Sequence, residues 1–119
     1  MIERNAERKF NMNIKINFQG VGGHSSRPYE AKNPVVAGFD FIHALENNLW
    51  WGFSQFDNVL VEPVDFECGT QQNIIPDKGF IQLYAEYDDE KNLPKIKEII
   101  DKSLKSVKEA YGVDSTVEY

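Results

Sequence analysis

The stretch Phe10–Gln19, with the sequence FNMNIKINFQ, decides the fold class of this chain. Its large apolar residues alternate with asparagine, lysine and glutamine from the first position to the last. An alternation of period two is typical of a β-strand that has one face on a hydrophobic core and the other in water. The sequence therefore predicts a half-buried strand in an antiparallel or mixed sheet.

The segment after this strand predicts a loop and then a helix. Glycines and a proline break any regular period between Gly20 and Pro28. Asn33-Pro34 is typical of a helix start, because the Asn side chain caps free backbone N–H groups and Pro at the first helical position lacks one. We expect this helix to run from Pro34 to about Trp50.

Two further strands are predicted downstream of the helix. The second strand, Asn58–Glu67, contains Pro63, which cannot donate a hydrogen bond to a β-ladder. This strand therefore belongs at the edge of a sheet or carries a bulge. Gly79–Tyr87 is predicted as the third strand.

The C-terminal part of the chain predicts a second helix and a last strand. The helix begins after Asp88-Asp89 or at Asn92 and ends at Gly112, which suits a left-handed C-cap. Thr116–Tyr119 begins a fourth strand. The element order β-α-β-β-α-β predicts an α+β, ferredoxin-like fold: a four-stranded antiparallel sheet with both helices on one face.

The length of 119 residues allows one domain. We expect residues 10–119 to form it and residues 1–9 to be disordered or a linker. Met1–Lys9 is charged and has no apolar core, so it does not resemble a signal peptide. No apolar run is long enough for a membrane helix.

The charge of the chain bears on its partners and its compartment. The formal net charge of −6 and the pI of about 4.9 disfavour a nucleic-acid or anionic-membrane surface, which needs a basic patch. The single cysteine, Cys68, forms no internal disulfide and no cysteine pair for a structural zinc. We therefore predict a cytoplasmic protein without nucleic-acid or membrane partners.

The first helix has apolar residues on more than one side, which indicates a second packing partner. One stripe consists of Val35, Phe39, Ile42 and Leu49. Further apolar residues lie outside it: Phe41, Ala44, Leu45, Trp50, Trp51, Phe53 and Phe56. We expect this second group to form an interface rather than the domain's own core, because a small domain cannot enclose so many large side chains.

A hydrolytic metal site needs at least three closely spaced ligands, and the sequence offers only His24 and His43 as histidines. Neither has a second histidine or a carboxylate on a matching face, so no metal site is predicted in this chain. His43 lies mid-helix and is interpreted as a packed or surface residue.

Two loops combine polar side chains with Gly or Pro, and such loops on a rigid scaffold often carry function. The first is Gly22–Pro28, GGHSSRP, and the second is Gly69–Asp77, GTQQNIIPD. Ordinary turn chemistry explains each of them equally well when they are taken singly.

Together, the GGHSSRP loop, the helix opened by Asn33-Pro34 and the GTxxNIIPD loop resemble the lid domain of the "M-twenty" metallopeptidase family. That family includes aminoacylase, hippurate hydrolase and carboxypeptidase G. The resemblance extends from about Phe10 to the C-terminus. It implies a lid and dimerisation domain excised from a larger two-domain amidohydrolase or peptidase.

The resemblance also implies a division of labour between this chain and its parent. The parent's catalytic domain is expected to bind two zinc ions on residues outside this chain. Two lids are expected to pair as a homodimer through the 58–67 strand and the 34–50 helix. The substrate implied is a small N-acyl amino acid or a peptide.

Four residues take roles from the resemblance. His24 is expected to reach the partner subunit's active site and donate a hydrogen bond to the oxyanion that forms on the amide carbonyl. Asn73 is expected to bind substrate, Gly69 to hold the Asn73 loop in shape, and Arg27 to add positive potential at the mouth of the site. The segment alone is not expected to be catalytic or to bind a cofactor.

One position departs from the family pattern. Many relatives carry a substrate-gripping arginine late in the strand after the Ile-Pro-Asp motif, where this chain has Glu86. A carboxylate there would repel an acidic substrate tail. The parent is then expected to prefer a substrate without that carboxylate, to use a cationic one, or to have lost activity.

Two other interpretations remain open. The chain can be a stand-alone ferredoxin-like module that binds a small ligand as a dimer. It can also be a small hydrolase that uses His24 with Ser25 or Ser26, although neighbouring residues in a loop rarely face one another and no orienting acid is evident.

Overall fold

A computed structural model describes residues 8–119. The described part contains a four-stranded sheet and two long helices, α1 and α2, which confirms the predicted α+β ferredoxin-like fold. The sheet strands are β1 (Phe10–Gln19), β3 (Val59–Cys68), β5 (Lys78–Tyr87) and β6 (Asp114–Glu118). Their order is β3-β5-β1-β6, and every neighbouring pair is antiparallel.

A second, two-stranded sheet lies outside the main one and was not predicted. Its strands are β2 (Gly23–His24) and β4 (Ile74–Ile75), which pair antiparallel. A short 3₁₀ helix, Pro28–Glu30, follows β2. Most of the linker predicted at residues 1–9 lies outside the described residues; Arg8 and Lys9 are described and precede β1.

Strand β1 has the bounds that its alternation predicts. Ile14, Ile16 and Phe18 are buried, while the polar residues between them are partly or fully exposed. β1 lies in the interior of the sheet, with β5 on one side and β6 on the other. Its apolar face therefore lies beneath both helices and forms the centre of the core.

Helix α1 covers Pro34–Gly52 and begins as predicted. The side chain of Asn33 accepts a hydrogen bond from the backbone N–H of Val35 over 2.9 Å, and Pro34 occupies the first helical position. The helix continues two residues beyond the predicted end at Trp50. Gly52 permits close packing there, because a Cβ at this position would lie 2.6 Å from Cδ1 of Ile99 on α2.

Strand β3 is an edge strand with an irregularity between Pro63 and Asp65, as Pro63 predicts. The bulge leaves Val64 without a register partner in β5. Helix α2 spans Asn92–Tyr111 and ends at Gly112, whose φ of +69° is the predicted left-handed cap. Strand β6 begins two residues before the predicted start, because Asp114 and Ser115 already pair with Gln19 and Phe18 of the long strand β1.

The packing of α1 corrects the predicted interface. Phe41 and Leu45 are 0 % exposed and belong to the domain's own core, so the prediction that they form an interface is wrong. Phe39, which was placed on the other stripe, is 62 % exposed and contacts the ring of Phe66 edge to face, with centroids 5.5 Å apart. Phe39 therefore lies on the side of α1 that is next to the edge strand β3.

The end of α1 and the following connection expose several aromatic residues. Trp50 is 76 % exposed and Trp51 83 % exposed, and Phe56 is exposed as well. These three residues lie outside the core, whereas Phe53, which was predicted to join them in an interface, packs against the core. No helix in residues 8–119 is long and apolar enough to cross a bilayer.

Candidate functional site

The two loops singled out by the sequence are joined to each other in space. Gly23 pairs with Ile75 and His24 with Ile74 in the β2–β4 ribbon. The backbone N–H of Ser25 then donates to the carbonyl oxygen of Asn73 over 3.1 Å. His24 and Asn73 therefore lie on one structural unit, although 49 positions separate them in the sequence.

Glycine is required at Gly22, where the ribbon leaves the main sheet. A Cβ there would collide with the carbonyl oxygen of Ile75 and lie 2.9 Å from Oδ1 of Asp77. The same carboxylate oxygen accepts the backbone N–H of Gly22 over 2.8 Å, and the carbonyl of Asp77 accepts the N–H of Gly20 over 2.6 Å. Asp77 thus ties the start of the His24 loop to the end of the Asn73 loop.

His24 is exposed, and its ring is held from one side by Ser26. Nδ1 lies 2.7 Å from the Ser26 hydroxyl and accepts the backbone N–H of Ser26 over 3.1 Å. Nε2 has no hydrogen-bond partner within residues 8–119. The ring therefore presents Nε2 to the surroundings of the loop.

The contact between His24 and Ser26 corrects the expectation that neighbouring loop residues do not face one another. It does not form a nucleophilic triad, however. The backbone N–H of Ser26 also donates to Nδ1, and no carboxylate of residues 8–119 is bonded to the other ring nitrogen. A general base oriented by an acid, which that chemistry needs, is missing from the described part of the chain.

Asn73 is exposed, and its side-chain amide makes no hydrogen bond within the described residues. Its backbone is fixed by the bond to Ser25. Further back in the same loop, Gly69 adopts a φ of +86°, which side chains rarely tolerate, and a Cβ at this position would lie 3.3 Å from Cγ of Pro76. The loop thus offers a free amide donor and acceptor on a constrained backbone.

Arg27 closes the turn after His24, since its backbone N–H donates to the carbonyl of His24 over 3.0 Å. Its guanidinium is exposed, with Nη1 lying 3.9 Å from Oε2 of Glu30. An exposed pair at this distance contributes little stability. Arg27 therefore remains available to add positive charge beside the loop.

The remaining candidate residues do not join this group. His43 is exposed on α1, where Nε2 lies 3.3 Å from the side-chain nitrogen of Asn47. Burial raises the pKa of the Cys68 thiol, so the thiol is neutral at physiological pH and is a poor nucleophile. Within residues 8–119, no three His, Cys, Asp or Glu side chains lie close enough together to hold a metal ion. The two zinc ions implied by the family resemblance therefore do not fit the residues described.

Glu86, the departure from the family pattern, is part of a cluster that the sequence analysis missed. Its Oε1 accepts a hydrogen bond from Arg8 over 3.1 Å, and its Oε2 accepts the hydroxyl of Tyr84 over 2.7 Å. Arg8 also donates to Oδ1 of Asn58 over 2.9 Å. The Tyr84 hydroxyl and then Arg8 lower the pKa of Glu86. Both carboxylate oxygens of Glu86 accept hydrogen bonds from other residues of this chain. The negative potential that a free carboxylate would produce here is therefore reduced.

The Glu86 cluster and the His24–Asn73 ribbon lie at opposite ends of the sheet. Phe10, at the start of β1, pairs with Tyr87, whereas Gln19, at its end, pairs with Lys78 next to the ribbon. A strand rises about 3.3 Å per residue, so roughly 30 Å separate the two ends. We call them the entry end, where β1 begins, and the ribbon end, where β2 and β4 lie.

Comparison with known proteins identifies the family to which this domain belongs. The family model described as peptidase dimerisation domain matches residues 6–112. An N-acetyldiaminopimelate deacetylase of Brevibacillus brevis is 27 % identical over 106 residues, which make up 89 % of this chain and 28 % of the deacetylase. The chain therefore spans little more than a quarter of the length of that relative.

Solved structures share the fold over nearly the whole chain. A protein of methicillin-resistant Staphylococcus aureus described as an aminohydrolase superposes with a TM-score of 0.84 at 30 % identity, covering 91 % of this chain and 29 % of that protein. An aminobenzoyl-glutamate utilization protein of Klebsiella pneumoniae superposes with a TM-score of 0.77 at 14 % identity, over 91 % of this chain and 27 % of its own, and shows the fold alone. With the family model matching most of its length, this chain belongs to the peptidase dimerisation domain family.

Proposed function

We propose that this chain is the lid and dimerisation domain of an amidohydrolase, and that it supplies His24 and Asn73 to the active site of a partner subunit. The parent would hydrolyse the amide bond of a small N-acyl amino acid, the class that includes the substrates named for the deacetylase relatives. Because residues 8–119 do not fit a metal site, any metal ligands would lie in the rest of the parent.

The edge strand β3 supports the dimer part of the proposal. Within the described residues β3 pairs only with β5, so its other edge offers free backbone groups to a second strand. Exposed apolar residues accompany this strand: Val64 lies at its bulge, the ring of Phe39 contacts Phe66 of β3, and Val36 lies one helical turn before Phe39. Two copies that join their β3 edges would continue the sheet and cover these side chains.

The distance between the entry end and the ribbon end of the sheet supports the proposal that His24 acts in trans. In a two-fold dimer the same edge meets itself, so the two β3 strands run antiparallel. The ribbon end of one copy then lies beside the entry end of its partner. In a parent as long as the relatives, the flanking sequence that continues from β1 and β6 would start at the entry end. His24 would thus lie near the partner's catalytic domain and about 30 Å from the start of its own.

The chemistry available at the ribbon end suits an acyl-transfer transition state. An imidazole N–H and a carboxamide are donors that can stabilise the negative charge that develops on an amide carbonyl oxygen or bind a polar group of the substrate. Both side chains are exposed on a backbone held by the ribbon. His24 would donate to the developing oxyanion, and Asn73 would bind the substrate.

The proposal is tested in the full-length parent with the variants His24→Ala and Asn73→Ala. Loss of an oxyanion donor typically lowers kcat about 100- to 1000-fold, and we expect a loss of this size for His24→Ala. The control His43→Ala removes the other histidine, which lies on α1, and should leave kcat unchanged. Wild-type kcat in the His24→Ala variant would contradict the proposal.

Mixed dimers distinguish action in trans from action in cis. One subunit would carry His24→Ala, and the other would carry an inactivating substitution in its catalytic domain. Action in trans places an intact His24 beside an intact catalytic domain in one of the two sites, so mixing should restore up to about half of the wild-type activity per dimer. Failure to recover activity in a verified mixed dimer would contradict the trans arrangement.

A further inference from the structure

We propose that Ser26 is a positioning residue that fixes the imidazole of His24 in the Nε2–H tautomer. The ring then presents a permanent N–H donor away from the loop and cannot act as a general base through its free nitrogen. The catalytic role of this tautomer rests on the proposed function, whereas the tautomer itself is a property of this chain alone.

The assignment follows from the contact between a backbone amide and the ring. The N–H of Ser26 lies 3.1 Å from Nδ1 of His24, and a backbone N–H can only donate. Nδ1 must therefore carry a lone pair in the neutral ring. The proton then resides on Nε2, because a neutral imidazole has one protonated and one unprotonated nitrogen.

The hydroxyl of Ser26 strengthens the same choice. Its Oγ lies 2.7 Å from Nδ1, and with Nδ1 unprotonated the hydroxyl is the donor of this bond. The opposite tautomer would direct the Nδ1 proton at the Ser26 N–H and leave that amide without its acceptor. Two donor protons that face each other at this distance repel, so the two Ser26 donors act together to disfavour the Nδ1–H form.

The turn around His24 keeps the two donors in place. Arg27 donates its backbone N–H to the carbonyl of His24 over 3.0 Å, and Glu30 donates its own to the carbonyl of Arg27 over 3.0 Å. On the other side, Ser25 is bonded to Asn73. Ser26 is thus held between two fixed neighbours, and its N–H is directed at the ring by the backbone.

The consequence for catalysis is specific. A histidine in this tautomer donates from Nε2 in both its neutral and its protonated state, so no proton has to be taken up before it can stabilise an oxyanion. In the Nδ1–H form, Nε2 would present a lone pair to that anion. Ser26 therefore decides whether the exposed nitrogen attracts or repels the developing charge.

The test is nitrogen-15 NMR of the imidazole rings in the 119-residue chain, which contains two histidines. Spectra would be recorded at alkaline pH, at which imidazole rings are neutral. We expect Nδ1 of His24 to resonate at the position of an unprotonated nitrogen and Nε2 at that of a protonated one. A protonated Nδ1 on His24 would overturn the inference.

Two variants isolate the part played by the hydroxyl. Ser26→Ala removes it and should move both His24 nitrogen resonances toward the average of the two tautomers, whereas Ser26→Thr keeps a hydroxyl and should retain the wild-type positions. The resonances of His43 should not move in either variant, which also shows that the fold is intact. Identical His24 spectra for Ser26→Ala and wild type would overturn the proposal that the Ser26 side chain positions the ring.

Failure of this inference can be separated from failure of the proposed function. If His24→Ala abolishes turnover by the parent but His24 carries its proton on Nδ1, the tautomer assignment is wrong and the role of His24 stands. If His24→Ala has no effect but the tautomer is as inferred, the proposed function is wrong. When both hold, Ser26→Ala should lower kcat by about fivefold with little change in KM, since one hydrogen bond has a net worth of about 1 kcal/mol.

Discussion

The backbone N–H of Ser25 and the carbonyl oxygen of Asn73 form a 3.1 Å hydrogen bond that extends the β2–β4 ribbon by one residue on each side. Ser25 is adjacent to the candidate site residue His24, and Asn73 is itself a candidate site residue. Any change that separates the ribbon should therefore disturb His24 and Asn73 together, and not one loop alone.

Gly22→Ala should separate the ribbon. The new Cβ would collide with the backbone carbonyl of Ile75, which cannot move without shifting β4. We expect a loss of about 1–3 kcal/mol in the free energy of unfolding, together with loss of hydrogen-exchange protection at the Ser25 amide. Gly23→Ala is the matched control, because its Cβ would meet only Cβ of Ala31 at an ordinary 3.7 Å. Equal protection of Ser25 in the two variants would contradict the prediction.

The two faces of α1 should respond differently to the same truncation. Phe41→Ala removes a fully buried ring and should lower the free energy of unfolding by about 3–5 kcal/mol. Phe39→Ala removes a mostly exposed ring and should cost much less in the monomer, but it should weaken the proposed dimer. Urea denaturation at low protein concentration measures the first effect, and sedimentation equilibrium measures the second. A dimer unaffected by Phe39→Ala would place the interface elsewhere.

Glu86 should contribute to stability in a pH-dependent way. Its pKa is lowered below the ordinary 4.5 in the folded state, first by the Tyr84 hydroxyl and then by Arg8. A carboxyl with a lowered folded-state pKa stabilises the fold above its unfolded pKa, and this contribution is lost as the pH falls through the folded value. Glu86→Gln should therefore be destabilising at neutral pH, and the difference from wild type should shrink in acid.

Tyr84→Phe checks the cause of this shift, because it removes the largest contribution while leaving Arg8 in place. The pKa of Glu86, followed by carbon-13 NMR of its carboxyl group, should rise toward its ordinary value in that variant. Glu98→Gln, an exposed substitution on α2, gives the baseline for the denaturation series. An unchanged Glu86 pKa in Tyr84→Phe would show that Arg8 alone is responsible.

The acidic residues of β3 should oppose dimer formation. The pKa of Glu67 is raised, first by a hydrogen bond with Asp65 and then by the charge of Asp65. A raised carboxyl pKa means that stability is greater in acid and is lost as the pH rises through the folded value. In the proposed dimer the antiparallel pairing of the two β3 strands would bring Glu67 of one copy toward the entry-end half of the partner strand, where the equally exposed Glu62 adds negative charge, so Glu67→Gln should lower the dimer dissociation constant at neutral pH.

The pH dependence of the dissociation constant tests this effect. At neutral pH, added salt should also tighten the wild-type dimer, because it screens repulsion between exposed charges. In acid, where the carboxylates are protonated, wild type and Glu67→Gln should dimerise equally well. A wild-type dimer that weakens with salt would show that attraction between charges, rather than repulsion, governs the edge.

The sequence was sufficient to predict the four-stranded sheet but neither the β2–β4 ribbon nor the orientation of α1. Alternation in Phe10–Gln19 and the proline in β3 are local signals, and both were confirmed. On α1, two apolar stripes lie side by side, and periodicity alone does not say which one meets the sheet. Gly38 distinguishes the two stripes. A Cβ at this position would collide with the ring of Phe66, so this side of the helix lies against β3.

The candidate site was predictable in its loops but not in its contacts. Gly-rich and Pro-rich segments marked both loops, and Asp77 was part of the second motif. The Arg8–Glu86 pair joins residues 78 positions apart, and no local pattern in the sequence indicates it. The contact between His24 and Ser26 depends on a side-chain rotamer, which the order of the residues does not determine.

The position of Trp50 and Trp51 at the exposed end of α1 has a practical consequence for anyone who follows this chain in solution. They are its only tryptophans, and both indoles are already largely in contact with water in the folded domain. Their fluorescence should consequently change little when the core unfolds, so melting is better followed by circular dichroism. A blue shift of the emission would instead report that another surface has come to cover this end of the helix.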